Sequence, residues 1–343
     1  DKLGIDIPIA RQTITLDLNF CTPENRGAYY LYLTGDVGWN VKLRQLAKDR
    51  GWVLNQNGLY SGNNLIASKS EEEILQALNV SYTSPEVRCE EALNLDIASL
   101  LEQKDIVADL HTHTIASDGG ATPEQLIQAA SQKGLLILGI TDHSQGSGAG
   151  LKPLNKIDQI AQLTALKKAA PLKILVGAEV DIKIDGTLDY DDSIIEKLDY
   201  MIVSIHHGYD KNTSERLIGV LQKYPRIPKI IAHPTGRKLS LDESRPPATA
   251  DWEQICKICK ETNTVLEING MPDRLDSPPE LIKLGTRAGV FFATNSDCHG
   301  LNFEPLLRNA VITARRGLLP RSRVINSNSD LIDKWLQNTL YNG

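Results

Sequence analysis

The sequence predicts an α/β fold, in which seven short strands alternate with helices behind a smaller α+β region. Three observations predict it. From residue 107 onward, short apolar runs bounded by turn signals alternate with amphipathic helical stretches, the pattern of a parallel sheet buried on both faces. All seven histidines lie beyond residue 110, at or just past the C-terminal ends of those runs. The first 83 residues carry a different, mixed pattern of strands and helices.

In the first region, TITLDLNF alternates as a strand, and RGAYYLYLTG and NVKLRQLAKDRG read as helices. VLNQNGLY and LIASKS form a strand pair with turn residues between them, and EEEILQAL makes a short helix. Residues 84–106 (SPEV, then the acidic RCEEALNLDIASLLEQKD) predict a connector with some helix, so domains are expected at 1–83 and 107–343. In the second region the strands are IVADL, LLILGIT, ILVGAEV, YMIVSIH, KIIAH, VLEIN and VFFATN. The helices between them are PEQLIQAASQKG, LNKIDQIAQLTALKKAA, TSERLIGVLQKY, DWEQICKICKET and PPELIKLGTRAG. Such alternation closes into a barrel or opens into a doubly wound sheet, and the pattern alone does not choose.

Hydrophobic residues make up 41% and charged residues 23% of 343, ordinary for a globular protein. No apolar run approaches the ~18 residues of a membrane span, and no secretory leader pattern opens the chain, so a cytoplasmic protein is expected. The first residue is Asp1, which points to a processed chain or a fragment. Five cysteines do not make a disulfide framework. Cys256 and Cys259 form a CxxC inside an amphipathic helix without a second pair, so reduced cysteines in or near the core are expected. The net charge of −6 argues against holding nucleic acid by a basic surface alone, although bound cations would offset it locally.

The chemistry is expected where the strands end. His111 and His113 end the first long-region strand, His143 the second, His206 and His207 the fourth, His233 the fifth, and His299 follows the seventh. Asp118, Asp142, Glu179 and Asp297 accompany them. In a β/α barrel the C-terminal strand ends gather on one face and their side chains converge. Residues i and i+2 of a strand point the same way, so HTH presents two imidazoles together. His207 faces away from His206 and Cys298 away from Asp297, so neither is expected to bind. Asp142 is expected to orient an imidazole. Mixed imidazole and carboxylate donors suit Zn²⁺, Mn²⁺ or Fe²⁺ better than Mg²⁺ or Ca²⁺. They predict a cluster that activates water and clamps phosphoryl oxygens. Arg237 in HPTGRK and Arg274 in MPDRLD lie on the same face and are candidate substrate contacts. No GxxxxGK loop or GxSxG elbow is present, which disfavours a P-loop NTPase or a serine hydrolase.

The runs DLHTHTIASDGGATPEQLIQAA, GITDHSQ, GAEVDIKIDGTLDY, SIHHGY, IAHPTGR, LEINGMPDRLD and NSDCH resemble the PHP (polymerase and histidinol phosphatase) domain. More narrowly, they resemble the PHP domain of bacterial and archaeal family X DNA polymerases. The resemblance covers residues 107 to about 340. It implies a distorted (βα)7 barrel with up to three divalent ions, zinc or manganese first, with iron or magnesium as alternatives. It further implies that His111, His113, Glu179 and Asp297 hold one ion, and that Glu179 bridges to a second with His206 and His233. Asp118, His143 and His299 would hold a third. Metal-dependent phosphoester hydrolysis is implied, including 3′–5′ exonuclease action, 3′-phosphatase action and DNA repair at DNA 3′ ends. Glu179, Asp142 and His233 would be the catalytic residues. RQTITLDLNF and YYLYLTGDVGWNVKLRQLAKDRGWVLNQNGLY resemble the end of a family X palm and its thumb. Asp17 would then fall at a catalytic carboxylate, and Tyr32, Thr34, Gly35 and Asn40 on a nucleotide-facing motif. Leu33 and Asp36 depart from that motif. The paired palm aspartates are not found ahead of Asp17, so the chain as given is not expected to polymerise DNA, and polymerase domains upstream are expected partners. A small-molecule phosphatase of the histidinol-phosphate type is the alternative.

Overall fold

The computed structural model describes residues 2–9, 12–148, 150–240 and 242–342. The chain divides into two compact units, Asp1–Ala98 and Ser99–Gly343.

The first unit opens with an antiparallel ribbon, β1 (Lys2–Ile9) and β2 (Gln12–Asn19). Sequence reading finds only the second strand. The register pairs Leu3 with Leu18, Ile5 with Leu16 and Ile7 with Ile14, so the two-residue period puts every aliphatic side chain on one face. Helices α1 (Arg26–Leu33) and α2 (Val37–Lys48) follow. Asp36 starts the second by accepting from the Trp39 amide at 2.6 Å. Trp39, Leu43 and Ala47, one turn apart, form its buried stripe. A meander of β3 (Val53–Asn55), β4 (Gly58–Ser61) and β5 (Asn64–Ala67) comes next. VLNQNGLY is therefore itself a hairpin, which turns at Gln56-Asn57 between the paired Asn55 and Gly58, with Asn55 Oδ1 accepting from the Asn57 amide at 2.8 Å. Helix α3 (Glu71–Ala77) is capped by Ser70 and carries three glutamates in its first turn, which suits the helix dipole. The expected connector is a series of 3₁₀ turns from Pro85 to Asp105 rather than a free linker, and the unit boundary falls within it.

The second unit is a distorted TIM-like barrel. Its strands are β6 (Ala108–Asp109), β7 (Ile137–Ile140), β8 (Lys173–Val176), β9 (Glu179–Asp181), β10 (Met201–Ser204), β11 (Lys229–Ile231), β12 (Thr264–Asn269) and β13 (Phe292–Asn295). Around them run α4 (Pro123–Gln132), α5 (Pro153–Leu166), α6 (Asp192–Ile195), α7 (Thr213–Lys223), α8 (Trp252–Glu261), α9 (Pro279–Ala288) and α10 (Glu304–Arg316), followed by α11 (Ser329–Leu336). All sheet pairs in this unit are parallel, in the orders β6-β7-β8 and β9-β10-β11-β12-β13. The run ILVGAEV, expected as one strand, breaks at Gly177-Ala178 into β8 and β9, and so passes from one sheet to the other. A side chain on Gly177 would meet Thr141 Cγ2 at 2.8 Å and the Tyr200 ring at 3.0 Å. The break therefore needs glycine.

The seam between β6 and β13 is closed at one end by a Thr112–Cys298 bridge, with the His113 amide donating to Cys298 O at 2.9 Å. At the other end Asn326 spans it. Its Nδ2 reaches Ala108 O and Thr294 O, and its carbonyl takes the Val107 amide. The interior is filled by Leu110, Leu175, Ile202, Ile230, Val265 and Ala293, and plugged by Ile332 and Trp335 of α11. Tyr200 packs edge-on to Trp335, and its hydroxyl donates to Leu110 O at 2.6 Å. Cys256 and Cys259 are free and buried in the outer apolar layer. No helix among the described residues is long and apolar enough to cross a membrane.

Candidate metal centre

Each strand carries its last inward-facing residues past the apolar interior and onto the rim. Along β12, Val265 lies inside, and the two-residue period brings Glu267 and Asn269 to the same face. Along β10 the same period runs Ile202, Ser204, His206.

Glu179, fully buried at the start of β9, is the hub. Its Oε2 lies 3.3 Å from His111 Nε2, 3.5 Å from His113 Nε2 and 2.8 Å from His143 Nδ1. Its Oε1 lies 3.3 Å from His206 Nε2 and 2.9 Å from His233 Nε2. Asp297 Oδ1 approaches His113 Nε2 at 3.1 Å and His111 Nε2 at 3.4 Å. Separations of this size match the about 3.3 Å edge of a tetrahedron with bonds of 2.0–2.1 Å. Donor atoms within 4.8 Å of one another form three groups: His111, His113 and Glu179; His143, Glu179 and His206; and His113, Asp118, His143 and His299.

Two imidazoles belong to more than one group. A neutral ring offers a single lone pair. His113 turns Nε2 to the first group and only Nδ1, at 4.0 Å, to Asp118, so distance favours the first. His143 stands between Glu179 and Asp118, whose Oδ2 is 3.5 Å from Nε2. His233 lies outside all three groups, against Glu179 alone.

Three tautomers are set from behind. His111 Nδ1 faces Glu267 Oε1 at 2.7 Å, His206 Nδ1 faces Asp181 Oδ1 at 3.2 Å, and His299 Nδ1 faces the Asp297 carbonyl at 2.9 Å. With a proton held on Nδ1, each Nε2 lone pair is turned toward the cluster. The remaining His113, His143 and His233 Nδ1 atoms are buried without a hydrogen-bond partner. Several close nitrogen–oxygen pairs, among them the 2.8 Å His143–Glu179 contact, also miss hydrogen-bond geometry. These residues fit a cation-binding cage better than a self-satisfied polar network.

Electrostatics agree. Burial opposes ionisation of Glu179, yet His143, His206 and His111 together hold its pKa well below the usual range. Burial also opposes charge on Asp297, and His111 and His113 overcome it. For His113 burial prevails and the pKa falls to about 4, so the ring is neutral. His233 (φ +28°) and Asp297 (φ +55°) adopt left-handed backbone, a cost of about 1–3 kcal/mol each that the surroundings sustain.

Several expectations need correction. Asp142 orients no imidazole. Its oxygens accept from the Thr114 amide and hydroxyl (both 2.8 Å), Ser117 Oγ (2.6 Å) and Gln159 Nε2 (2.5 Å), and buried Lys156 lies near. It braces the turn that carries Asp118 and has no free lone pair for proton transfer. Arg237 gives Nε to Arg274 O at 2.9 Å and Nη2 to Leu275 O, so its guanidinium holds a loop. Arg274 remains at the rim, with Nε 4.0 Å from Asp297 Oδ2. His299 lies beyond the end of β13 at Asn295, and its Nε2 reaches Asp118 Oδ1 at 3.3 Å. His207 is exposed, and Cys298 Sγ turns to Gly300 O at 2.9 Å. Glu267 and Asp181 were missed, although an acid inside the apolar run VLEIN was a signal.

In the first unit, Asp17 lies on the polar face of the ribbon opposite Gly4. Tyr32 is exposed beside Arg44. Thr34 accepts from buried Arg88, Gly35 takes φ +84°, and Asn40 Nδ2 donates to Thr34 O and Asp36 O at 3.2 Å. These last three residues secure the α1–α2 turn.

Comparison with known proteins accords with this architecture. The family described as DNA polymerase beta thumb matches residues 29–89, and the PHP domain matches residues 109–270. The DNA polymerase/3′-5′ exonuclease PolX of Bacillus subtilis (strain 168) is 32% identical over 339 residues, 96% of this chain and 58% of that protein. The chain thus spans little more than half the length of that relative. A probable phosphatase of Clostridium novyi (strain NT) is 31% identical over 208 residues, 56% of this chain and 79% of its own length. One of Caldicellulosiruptor saccharolyticus is 29% identical over 206 residues, again 56% and 79%. The chain belongs to the PHP-domain family and carries a thumb of the DNA polymerase beta kind ahead of its barrel.

Proposed function

We propose that this chain is a metal-dependent phosphoesterase that trims DNA 3′ ends in the 3′–5′ direction, as an exonuclease with 3′-phosphatase action, in DNA repair in the cytoplasm. The observation that carries the reading is the convergence of five imidazoles on Glu179. The thumb match and the exonuclease name of the Bacillus relative support DNA as the substrate.

Divalent cations, manganese or zinc foremost, held by His111, His113, Glu179 and Asp297, by Glu179 with His206, and by Asp118, His143 and His299 would supply Lewis acidity at a phosphoryl group. The protein's own part is preorganisation. Glu267 and Asp181 hold the His111 and His206 rings, and Asp142 holds the turn of Asp118. Arg274 brings a fixed positive charge to the rim. His233 is kept neutral by burial and by Arg274, and its Nδ1 has no partner. It is the group able to take a proton from the reacting water.

The test is a panel of labelled single-stranded and gapped DNA with Mn²⁺, Zn²⁺ or Mg²⁺, scored for nucleotide and for inorganic phosphate release. Nucleotide release with Mn²⁺, abolished by Glu179→Ala, is expected. Intact DNA beside rapid cleavage of histidinol phosphate would overturn it in favour of a small-molecule phosphatase. The relatives named as probable phosphatases favour that second reading.

A further inference from the structure

One rim residue belongs to none of the donor groups, although its ring packs in the apolar core. Tyr209, just beyond β10, is about nine-tenths buried, and its hydroxyl has no hydrogen-bond partner. Arg274 Nη1, also buried, has none either. Phenol and guanidinium interact with each other and with Glu179, yet each keeps a buried polar atom without a hydrogen-bond partner. A phenol oxygen could accept from the guanidinium, but the phenol's own proton would still lack an acceptor. Buried donors are left unpaired only at a cost, and a shared acceptor supplied from outside the protein would remove it.

The tyrosine is held firmly. The Gly236 backbone, with φ +57°, lies flat against one side of the ring, where a Cβ would come within 1.7 Å of Cε1. Over the ring stands the Arg245 guanidinium at 4.0 Å, itself fixed by its Nε donating to Gly236 O at 2.6 Å. Thr213 Oγ1 donates to the Tyr209 carbonyl at 2.7 Å. Nothing in this packing needs the hydroxyl, since phenylalanine would fill the same slot. The Gly236 amide donates to His233 O at 2.8 Å, which ties the clamp to the rim.

We propose that Tyr209 Oη and Arg274 Nη1 form a two-donor clamp for one non-bridging oxygen of a phosphate group held at the metal rim. The proposal rests on the phosphoesterase reading and names the residues that recognise its substrate. A neutral and a charged donor, prepositioned where water is excluded, stabilise an anionic oxygen without reorganisation.

Inorganic phosphate is the probe, titrated calorimetrically into the Mn²⁺-loaded full chain. Tyr209→Phe should keep its manganese content and melt no lower than the parent, because it removes an unsatisfied buried hydroxyl. It should bind phosphate about five- to tenfold more weakly, the worth of one hydrogen bond, and raise KM for a phosphate ester. Arg274→Met should weaken phosphate more. Parental phosphate affinity in Tyr209→Phe overturns the clamp, as does a fall matched by lost manganese. Failure of the parent to hydrolyse any ester, with Tyr209-dependent phosphate binding intact, would instead sink the hydrolase reading and leave the clamp standing.

Discussion

Replacing Glu267 by glutamine changes one atom of a side chain that is fully buried and takes four donors. Oε1 lies 2.7 Å from His111 Nδ1 and 2.9 Å from Asn295 Nδ2. Oε2 accepts from the His233 amide at 2.6 Å and Asn269 Nδ2 at 3.0 Å. Whichever oxygen becomes the amide nitrogen, two donors lose their acceptor. At about 1–3 kcal/mol for each, the penalty is about 2–6 kcal/mol. One route relieves part of it: with the amide facing His111, the imidazole can switch tautomer and accept at Nδ1. Its proton then sits on Nε2, the atom that faces Glu179 and Asp297, and the lone pair that would bind a cation is lost. Manganese affinity should fall by about 10–100-fold, and the melting temperature by about 2–4 °C for each kcal/mol lost. Calorimetric titration of Mn²⁺ into the metal-free variant, with scanning calorimetry, measures both. A variant that takes manganese with parental affinity and melts at the parental temperature would refute the claim that Glu267 sets the His111 tautomer.

The metal-free chain should respond to pH through His206 and His299. Burial opposes their protonation, but Glu179 and Asp181 around the first, and Asp118 and Asp297 around the second, raise each to about 9. That stabilisation is complete below the ordinary value of about 6.5 and is lost as pH rises through about 9. A cation must displace those protons, so manganese affinity should climb over this window, with proton release seen as a buffer-dependent enthalpy; a flat profile contradicts it. Asp142→Asn separates bracing from catalysis. Two of the four donors to the carboxylate would lose their acceptor, which should cost about 2–6 kcal/mol of stability and weaken metal at Asp118, whereas a proton-transfer role would cost turnover and leave the melting temperature alone.

The alternation of apolar runs and helices made the parallel sheet legible, because a sheet covered on both faces has continuous apolar strands; its closure into a barrel was legible only through the family resemblance. What periodicity could not show was the break at Gly177. A glycine–alanine pair inside ILVGAEV reads as an ordinary strand until Tyr200 and Thr141 are seen crowding it. The strand-end histidines were legible for the same reason as the strands. Glu267 and Asp181 were not, since their work is to hold the backs of rings contributed by other strands. Asp142 and Arg237 show the converse error. Each has the chemistry and the address of a working residue, and only their partners reveal that the charge is spent bracing loops. In the first unit, Thr34, Gly35 and Asn40 secure a turn, a role that the motif alone did not suggest.

The seam of the barrel has a consequence for how the protein comes into being. Asn326 clasps two strands whose residues lie more than 200 positions apart at one contact, with Ala108, and 32 at the other, with Thr294. His111 and Asp297 face each other across that same join. The hoop cannot lock until Asn326 is in place between the two strands. Until then His111 lacks its Asp297 neighbour across the join, so the set of donor atoms is completed by a contact between distant parts of the chain.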